Sequence, residues 1–339
     1  ITGSVGKTST KDMVASVLKK KYKVLKTIGN NNNHIGLPLT ILRLKDEEVM
    51  VLEMGMNHFG ELSLLTDIAK PTIGVITNIG TAHIGNLGSR ENILKAKLEI
   101  TEGLSGPLII NNDNDLLHNL KIDNKLITIG IDNKSDYNAY DILTEAFSSS
   151  FKINDLNIKI NVGGIPFIYN SLVAYAVGKC CNIEDKLIKE GLENFNLTKG
   201  RLEVKNNHKG ITIIDDTYNA SFDSVKASLE ILAKAEGKRK IALLGDILEL
   251  GEYSDMIHKN IGKEVINNNI DILITIGNLS KQIDNEVLKL GFNKDNIYHF
   301  NSQEESYNLL DKVLIKGDVI LLKGSHAMNL DNIVKYLIK

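Results

Sequence analysis

The segment Gly3-Ser4-Val5-Gly6-Lys7-Thr8 has the residue types of a phosphate-binding loop. Glycines allow backbone N–H groups to close around phosphate oxygens, and a helix that follows directs its positive N-terminal end at the same anion. Lys7 supplies a point charge, and the hydroxyl of Thr8 suits Mg²⁺. The first glycine of the full pattern would fall at Ile1, so the match is incomplete. A glycine-rich turn capped by Thr8 is the alternative, but Gly-Lys-Thr ahead of a helical pattern favours phosphate binding.

Two further polar residues end or follow apolar stretches. Glu53 ends the stretch Val49–Glu53, and His83 comes shortly after Ile73–Ile79. If these stretches are parallel strands, both residues lie near carboxyl ends, where open α/β sheets bind their ligands. A carboxylate beside a phosphate loop suits Mg²⁺. By residue type alone, a surface acid and a hydrogen-bonded loop histidine remain the ordinary interpretations.

Apolar stretches alternate with amphipathic ones along the first part of the chain, which predicts a parallel sheet covered by helices. The period-2 alternation of Phe151–Phe167 predicts antiparallel strands added to that sheet, and Asn170–Cys181 and Ile183–Asn194 read as a helix pair. The remaining strands are expected at Val49–Glu53, Ile73–Ile79, Pro107–Asn111 and Lys125–Gly130, with helices near Gly60–Ala69 and Ser89–Leu104.

A second α/β series follows, so we predict two domains, residues 1–198 and 199–339. Its strands are expected at Ile211–Asp215, Lys240–Gly245, Asp271–Ile276 and Asp318–Leu322, with helices near Asp223–Ala235, Ser254–Asn267, Asn278–Leu290, Glu304–Ile315 and Asn329–Ile338.

The bulk composition excludes several classes of protein. A net charge of -2 over 339 residues gives no overall positive field for nucleic acid. No apolar run reaches the roughly 20 residues that span a bilayer, so we expect no membrane partner. Cys180 and Cys181 are the only cysteines and are adjacent, which fits a reducing compartment such as the cytoplasm. Because the phosphate loop lacks a preceding strand, the sequence is expected to be truncated.

An ordered set of motifs resembles the Mur ligase family. The motifs are TGSVGKTSTK, GNNNNHIGLPLTILRL, EMGMNHFGEL, TNIGTAHIGNLGSRENILKAKLEI, DDTYNASFDSVKASL and LGDILELGE. The stretch Glu53–Glu61 is similar to the branch that adds D-alanyl-D-alanine to UDP-N-acetylmuramoyl-tripeptide. The resemblance implies a P-loop central domain with a mostly parallel sheet and a Rossmann-like α/β C-terminal domain. It also implies that the family's N-terminal domain, which holds the UDP end of the substrate, is absent.

The resemblance assigns roles at the ATP and metal sites. Two Mg²⁺ ions are implied, with Thr8, Glu53, His83 and Lys97 as ligands. Lys97 would be carbamylated by CO₂, with Lys95 as the rival position, although a lysine on a predicted helix is ordinarily solvated. Lys7, His83 and Lys97 would be catalytic. The implied ATP-binding residues are Gly3, Ser4, Gly6, Lys7, Thr8, Ser9, Asn170, Arg201, Asp216, Tyr218 and Asn219.

The resemblance also implies substrate contacts. Asn32 and Asn33 belong to a loop that faces the muramoyl-peptide in the family, although an Asn run is equally a turn signal. Lys323 and Ser325 are expected at the acceptor site, where His326 replaces the family's arginine. Asn170 could simply cap a helix, and Arg201 could be an ordinary surface arginine. The usual Asn-Pro-Asp-Ser continuation after Tyr218 is replaced by Asn219-Ala-Ser-Phe-Asp-Ser.

The implied reaction is phosphoryl transfer from ATP to a peptide carboxylate, followed by attack of the D-alanyl-D-alanine amine on the acyl phosphate. We expect a monomer that binds these two substrates. The alternatives are another amide ligase of the superfamily, such as a folylpolyglutamate synthase type, and an ATP-binding pseudoenzyme. The motifs leave open whether the third stem-peptide residue is lysine or diaminopimelate.

Overall fold

The computed structural model describes residues 1–118 and 120–339, which form two compact units. The first unit comprises Ile1–Thr144 and Ser148–Asn196, and the second comprises Glu145–Phe147 and Leu197–Lys339. Within the described residues, none of the helices combines the length and the apolar character needed to cross a membrane.

The first unit is a mostly parallel sheet with an antiparallel extension. Strand order is β3-β4-β5-β6-β7-β8, with β3 to β6 parallel and β6, β7 and β8 antiparallel, while β1 and β2 form a separate parallel pair. The strands are β1 (Val24–Lys26), β2 (Val49–Val51), β3 (Gly74–Ile76), β4 (Leu108–Asn111), β5 (Leu126–Gly130), β6 (Tyr137–Thr144), β7 (Ser149–Ile153) and β8 (Leu156–Ile160). The helices are α1 (Lys7–Leu18), α2 (Gly36–Ile41), α3 (Glu61–Ala69), α4 (Ile84–Leu87), α5 (Arg90–Leu98), α6 (Ile165–Cys180) and α7 (Asp185–Glu193).

The first two residues of the chain run between β2 and β3. The Thr2 N–H donates to Val75 O at 2.9 Å, and the Ile1 carbonyl accepts from the Met54 N–H at 2.8 Å. Thr2 forms an isolated parallel bridge with Ile76. This short backbone segment therefore joins the two-stranded sheet to the six-stranded one. It also delivers the glycine-rich loop to the carboxyl ends of two parallel strands.

The helices α1 and α6 pack against each other, and α7 packs against α1. The antiparallel strands predicted within Phe151–Phe167 are confirmed as β7 and β8, but Pro166 and Phe167 belong to α6. Proline is tolerated there because the N–H groups of a first helical turn have no partner within the helix. The predicted start of this helix at Asn170 was wrong, because α6 begins at Ile165.

The second unit is a six-stranded sheet of order β13-β12-β11-β14-β10-β9, parallel except for the antiparallel pair β9 and β10. Its core contains the fully buried Ile213, Leu243 and Ile320. The strands are β9 (Glu203–Asn206), β10 (Thr212–Asp215), β11 (Lys240–Gly245), β12 (Ile272–Ile276), β13 (Ile297–Phe300) and β14 (Val319–Lys323). The helices are α8 (Phe222–Lys234), α9 (Ser254–Asn267), α10 (Lys281–Lys289), α11 (Gln303–Val313) and α12 (Asp331–Ile338).

Candidate functional site

The glycine-rich loop is held in a conformation that requires its glycines. Gly3 and Gly6 have φ angles of 149° and 83°. A Cβ atom on Gly3 would lie 1.8 Å from Thr77 Oγ1. Because side chains disfavour both the backbone angle and this approach, glycine is required at position 3. The α1 helix begins at Lys7, directly after the loop, so its N-terminal end adjoins the loop as predicted.

The loop is fixed to the chain segment that follows β3. The Ser4 N–H donates to the Asn78 carbonyl at 3.1 Å, and the Val5 N–H donates to Asn78 Oδ1 at 3.0 Å. Ser4 Oγ in turn accepts from the Gly80 N–H at 2.9 Å. Neither Thr77 nor Asn78 was predicted as a site residue, although both lie in the TNIGTAH motif. The side chain of Ser4 therefore has a hydrogen-bond partner within the protein.

Lys7 lies beside the loop that it is predicted to serve. Its Nζ donates to the Gly3 carbonyl at 2.8 Å, and the residue is half-buried. The next two residues of α1, Thr8 and Ser9, are buried. Lys7, Thr8 and the loop backbone therefore occupy one small region at the start of the helix.

Asn170 packs directly against the loop. It is buried within α6, and its Oδ1 accepts a 2.9 Å hydrogen bond from Thr10 Oγ1. A Cβ atom on Gly6 would lie 3.1 Å from the same oxygen. Asn170 therefore contacts the first turn of α1, and its predicted contact with adenine stays a prediction.

Glu53 carries a buried carboxylate oxygen that accepts no hydrogen bond from a described residue. The residue is 3% exposed, and its Oε1 accepts a hydrogen bond from Asn32 Nδ2 at 2.9 Å. Its Oε2 is buried and accepts no hydrogen bond from any described residue. Lys11 Nζ lies 3.9 Å from Oε2, which is beyond hydrogen-bond distance. Because the lone pairs of this buried oxygen accept no hydrogen bond and carboxylate oxygens are ligands that Mg²⁺ prefers, Glu53 fits a divalent cation.

Two residues of the asparagine run, Asn32 and Asn33, form hydrogen bonds within the protein. Besides binding Glu53, Asn32 accepts a 2.8 Å hydrogen bond at its carbonyl from the Gly55 N–H. Asn33 is exposed, and its Oδ1 accepts from the N–H groups of Ile35 at 3.2 Å and Gly36 at 2.9 Å. Asn33 therefore organises the start of α2, and its predicted substrate contact stays a prediction.

Lys97 is a buried lysine on α5. It is 1% exposed, and no described carboxylate lies within the 4.0 Å salt-bridge distance of its Nζ. Burial, and secondarily the positive charge of Lys7, holds its pKa well below the usual lysine range. The ordinary interpretation of a solvated lysine was wrong for Lys97, whereas Lys95 is exposed. Lys97 shares the helix stripe of the buried Ile93 and Ile100, a signal that the sequence already contained.

His83 is half-buried and adopts a left-handed backbone conformation, with φ 64°, immediately before α4. Among residues 1–118 and 120–339, no group of three or more His, Cys, Asp or Glu side chains is arranged to hold a metal ion. A carboxylate made from Lys97 would add an oxygen donor that the unmodified chain does not supply. The donor types present, a threonine hydroxyl and a buried carboxylate, are those that Mg²⁺ prefers.

In the second unit, Lys323 and Asp216 form a buried ion pair. Lys323 Nζ lies 2.5 Å from Asp216 Oδ2 and donates to the Asn219 carbonyl at 2.9 Å. Asp216 also accepts from Ser228 Oγ at 2.6 Å and from the Leu202 N–H at 3.2 Å. Burial lowers the pKa of Lys323, while Asp216 opposes that shift. Both side chains thus hold together the ends of β10 and β14.

A cation–π contact and an aromatic contact lie at the same edge of the second sheet. The Arg201 guanidinium lies 4.2 Å from the centroid of the Tyr218 ring, and the centroid of the His326 ring lies 5.6 Å from it at an interplanar angle of 40°. Ser325 is buried, and its Oγ accepts from the Leu248 N–H at 2.9 Å. The structure therefore brings the predicted residues of this unit together. Ser325 also accepts a hydrogen bond within the protein.

Family profiles match both units. The Mur ligase middle domain matches residues 1–178, and the Mur ligase glutamate ligase domain matches residues 200–326. Among solved structures, MurF from Acinetobacter baumannii superimposes with a TM-score of 0.90 and 28% identity over 99% of this chain and 75% of that one. MurF from Thermotoga maritima in complex with ADP gives a TM-score of 0.87 at 29% identity, covering 99% and 78%.

Two curated relatives are called UDP-N-acetylmuramoyl-tripeptide–D-alanyl-D-alanine ligase. The Bacillus subtilis protein is 40% identical over 345 residues, covering 100% of this chain and 75% of the relative. The Synechocystis protein is 34% identical, covering 100% and 74%. Since the two profiles match most of both units and these relatives match the chain throughout, the chain belongs to the Mur ligase family.

Proposed function

We propose that this chain catalyses ATP-dependent amide-bond formation between UDP-N-acetylmuramoyl-tripeptide and D-alanyl-D-alanine, a step of peptidoglycan precursor synthesis. Support comes from the curated relatives of that name and from the ADP bound to the Thermotoga maritima neighbour. The observation that carries the proposal is the phosphate loop with two buried groups beside it: the Glu53 carboxylate, whose Oε2 accepts no hydrogen bond from a described residue, and the Lys97 amine.

The phosphate loop is the proposed binding site for the ATP phosphates. The N–H groups at the start of α1 and the Lys7 ammonium would stabilise the negative charge that moves with the γ-phosphoryl group. Transfer of that group to the substrate carboxylate gives an acyl phosphate and ADP. The neutral amine of the dipeptide then attacks the acyl carbon, the amide C–N bond forms, and phosphate and the amine proton leave. The site residues named from the sequence remain the proposed ATP contacts in each unit.

Two Mg²⁺ ions are proposed as cofactors, and Thr8, Glu53, His83 and Lys97 would hold them, with His83 at the second ion. When bound, such ions neutralise phosphate charge. We propose that Lys97 serves as a carbamate, because its lowered pKa favours the neutral amine that adds to CO₂ with loss of one proton. The product is an anion with two oxygen donors. Carbamylation therefore turns a buried cation into a metal ligand.

The experiment is a coupled assay of phosphate release and product mass with ATP, the UDP-linked tripeptide and a panel of acceptors. D-Alanyl-D-alanine should give both phosphate and the ligated product, whereas L-alanyl-L-alanine and glutamate should not. Glutamate-dependent product in a parallel assay with a folate in place of the UDP-linked tripeptide would indicate a folylpolyglutamate type of ligase. Tight ATP binding by calorimetry without any ligated product would indicate a pseudoenzyme.

Sedimentation of the purified protein tests the expected monomer, and fractionation of cells tests the expected cytoplasmic location.

A further inference from the structure

A second buried lysine, Lys11, lies behind the Glu53 carboxylate and has no part in the proposed chemistry. It is 2% exposed and sits one helical turn after Lys7 on α1. Its Nζ lies 3.9 Å from Glu53 Oε2 and 3.3 Å from Asp12 Oδ1. Two carboxylates therefore share this ammonium.

The charges of this cluster, Lys11, Asp12, Lys26 and Glu53, balance in pairs. Asp12 Oδ1 already accepts a 2.6 Å hydrogen bond from Lys26 Nζ, whose side chain is 37% exposed. With Asp12 paired in this way, Lys11 is the cation that compensates the buried charge of Glu53. Its distance from Oε2 is too long for a hydrogen bond, so the interaction is electrostatic and leaves the lone pairs of that oxygen available.

We propose that Lys11 is a positioning residue that acts as the built-in counter-cation of Glu53 and thereby weakens binding of a divalent cation in the absence of nucleotide. This inference rests on the proposed role of Glu53 as a magnesium ligand. A metal ion at Oε2 is repelled by the ammonium behind the carboxylate. The negative charge of the nucleotide phosphates is therefore needed to make binding of the metal ion favourable. Metal and nucleotide then bind together rather than metal alone.

The test is Mn²⁺ binding to the nucleotide-free protein at pH 8, followed by electron paramagnetic resonance of the free ion. Lys11→Met should bind Mn²⁺ about tenfold more tightly than the unmodified protein, since the competing charge is gone. Lys19→Met is the control, because it removes an exposed lysine at the C-terminal end of the same helix, outside the cluster, and it should change Mn²⁺ affinity less than twofold. The double variant Lys11→Met/Glu53→Gln should lose the whole gain.

A second variant tests the role of Lys11 independently if Lys11→Met does not fold. Asp12→Asn leaves Lys11 with Glu53 alone, so the ADP-loaded protein should bind Mn²⁺ several-fold more weakly. Unchanged or weaker Mn²⁺ binding by folded Lys11→Met, or unchanged binding by Asp12→Asn, would overturn the role of Lys11. Failure of the proposed function looks different, because Glu53→Gln would then leave Mn²⁺ binding by the ADP-loaded protein unaltered.

Discussion

Asn32 Nδ2 donates a 2.9 Å hydrogen bond to Glu53 Oε1 and so ties the asparagine run to the segment that follows β2. The bond fixes one oxygen of Glu53 and leaves Oε2 as the atom without a donor. The asparagine loop and the candidate metal site are therefore one structural unit.

Asn32→Ala should raise the Mg²⁺ concentration needed for half-maximal ATP turnover about tenfold. A hydrogen bond to a charged group contributes about 1.5–3 kcal/mol, and without it the carboxylate is less well oriented. The measurement is a Mg²⁺ titration of phosphate release. Asn31→Ala is the matched control, because Asn31 belongs to the same run and is exposed. Equal Mg²⁺ requirements in the two variants would show that the bond to Glu53 has no role in metal binding.

Lys7→Ala should lower ATP turnover by about 10²–10³ while the protein stays folded, because the side chain is half-buried and faces the loop rather than the core. Turnover is measured by phosphate release and folding by circular dichroism. Lys19→Ala removes an exposed lysine just after the same helix and should keep full turnover. Near-normal activity of folded Lys7→Ala would mean that the loop does not bind the transferred phosphate.

The periodicity of apolar residues predicted the buried strands and helices well, because a buried face must be apolar along the length of the strand or helix. The strands β11 and β14 and the helix α9 lie where the apolar repeats placed them. The half-exposed β6, with polar residues on both faces, gave no such pattern, and the three-residue β1 is too short to show one.

The residue types of Lys7 and Glu53 predicted a place in the candidate site, and their roles there stay predictions. Ion pairing was not predictable, because partners such as Asp216 and Lys323 lie far apart in the sequence and meet only when β10 and β14 pair. The same holds for Thr77 and the loop glycine Gly3. The cluster around Lys11 was not predicted, because a lysine one turn into a helix is ordinarily expected to be exposed to solvent.

Lys323→Met should destabilise the second unit by about 3–5 kcal/mol, since it leaves Asp216 buried with an unpaired charge. Urea unfolding measures the loss. The double variant Asp216→Asn/Lys323→Met should recover part of it. Lys335→Met is the control, because its pair with Asp331 is exposed and contributes at most about 1 kcal/mol. If Lys323→Met unfolds like the unmodified protein but binds D-alanyl-D-alanine poorly, Lys323 is an acceptor contact instead.

Lys97→Met should stabilise the nucleotide-free protein in CO₂-depleted buffer, and more so at pH 7 than at pH 10. Burial lowers the folded-state pKa of Lys97, so the unfolded state binds more protons between that pKa and the usual value of about 10.4. Stability of the unmodified protein therefore rises with pH across this window, and the advantage of methionine shrinks. Urea unfolding at both pH values measures the difference. An advantage that is constant or grows toward pH 10 contradicts a buried lysine that resists protonation.

Lys97→Ala should lose ligation activity, and added formate or acetate should restore part of it. The small carboxylate would occupy the place of the carbamate and supply the missing oxygen donors. Lys95→Ala is the matched control, because Lys95 is exposed on the same helix, and it should keep nearly full activity. A ¹³C signal for a carbamate should appear in the unmodified protein with ¹³C-bicarbonate and be absent from Lys97→Ala. Lys97→Arg keeps the positive charge but cannot be carbamylated. Full activity of that variant in CO₂-depleted buffer would therefore leave Lys97 as a buried cation with no role as a metal ligand.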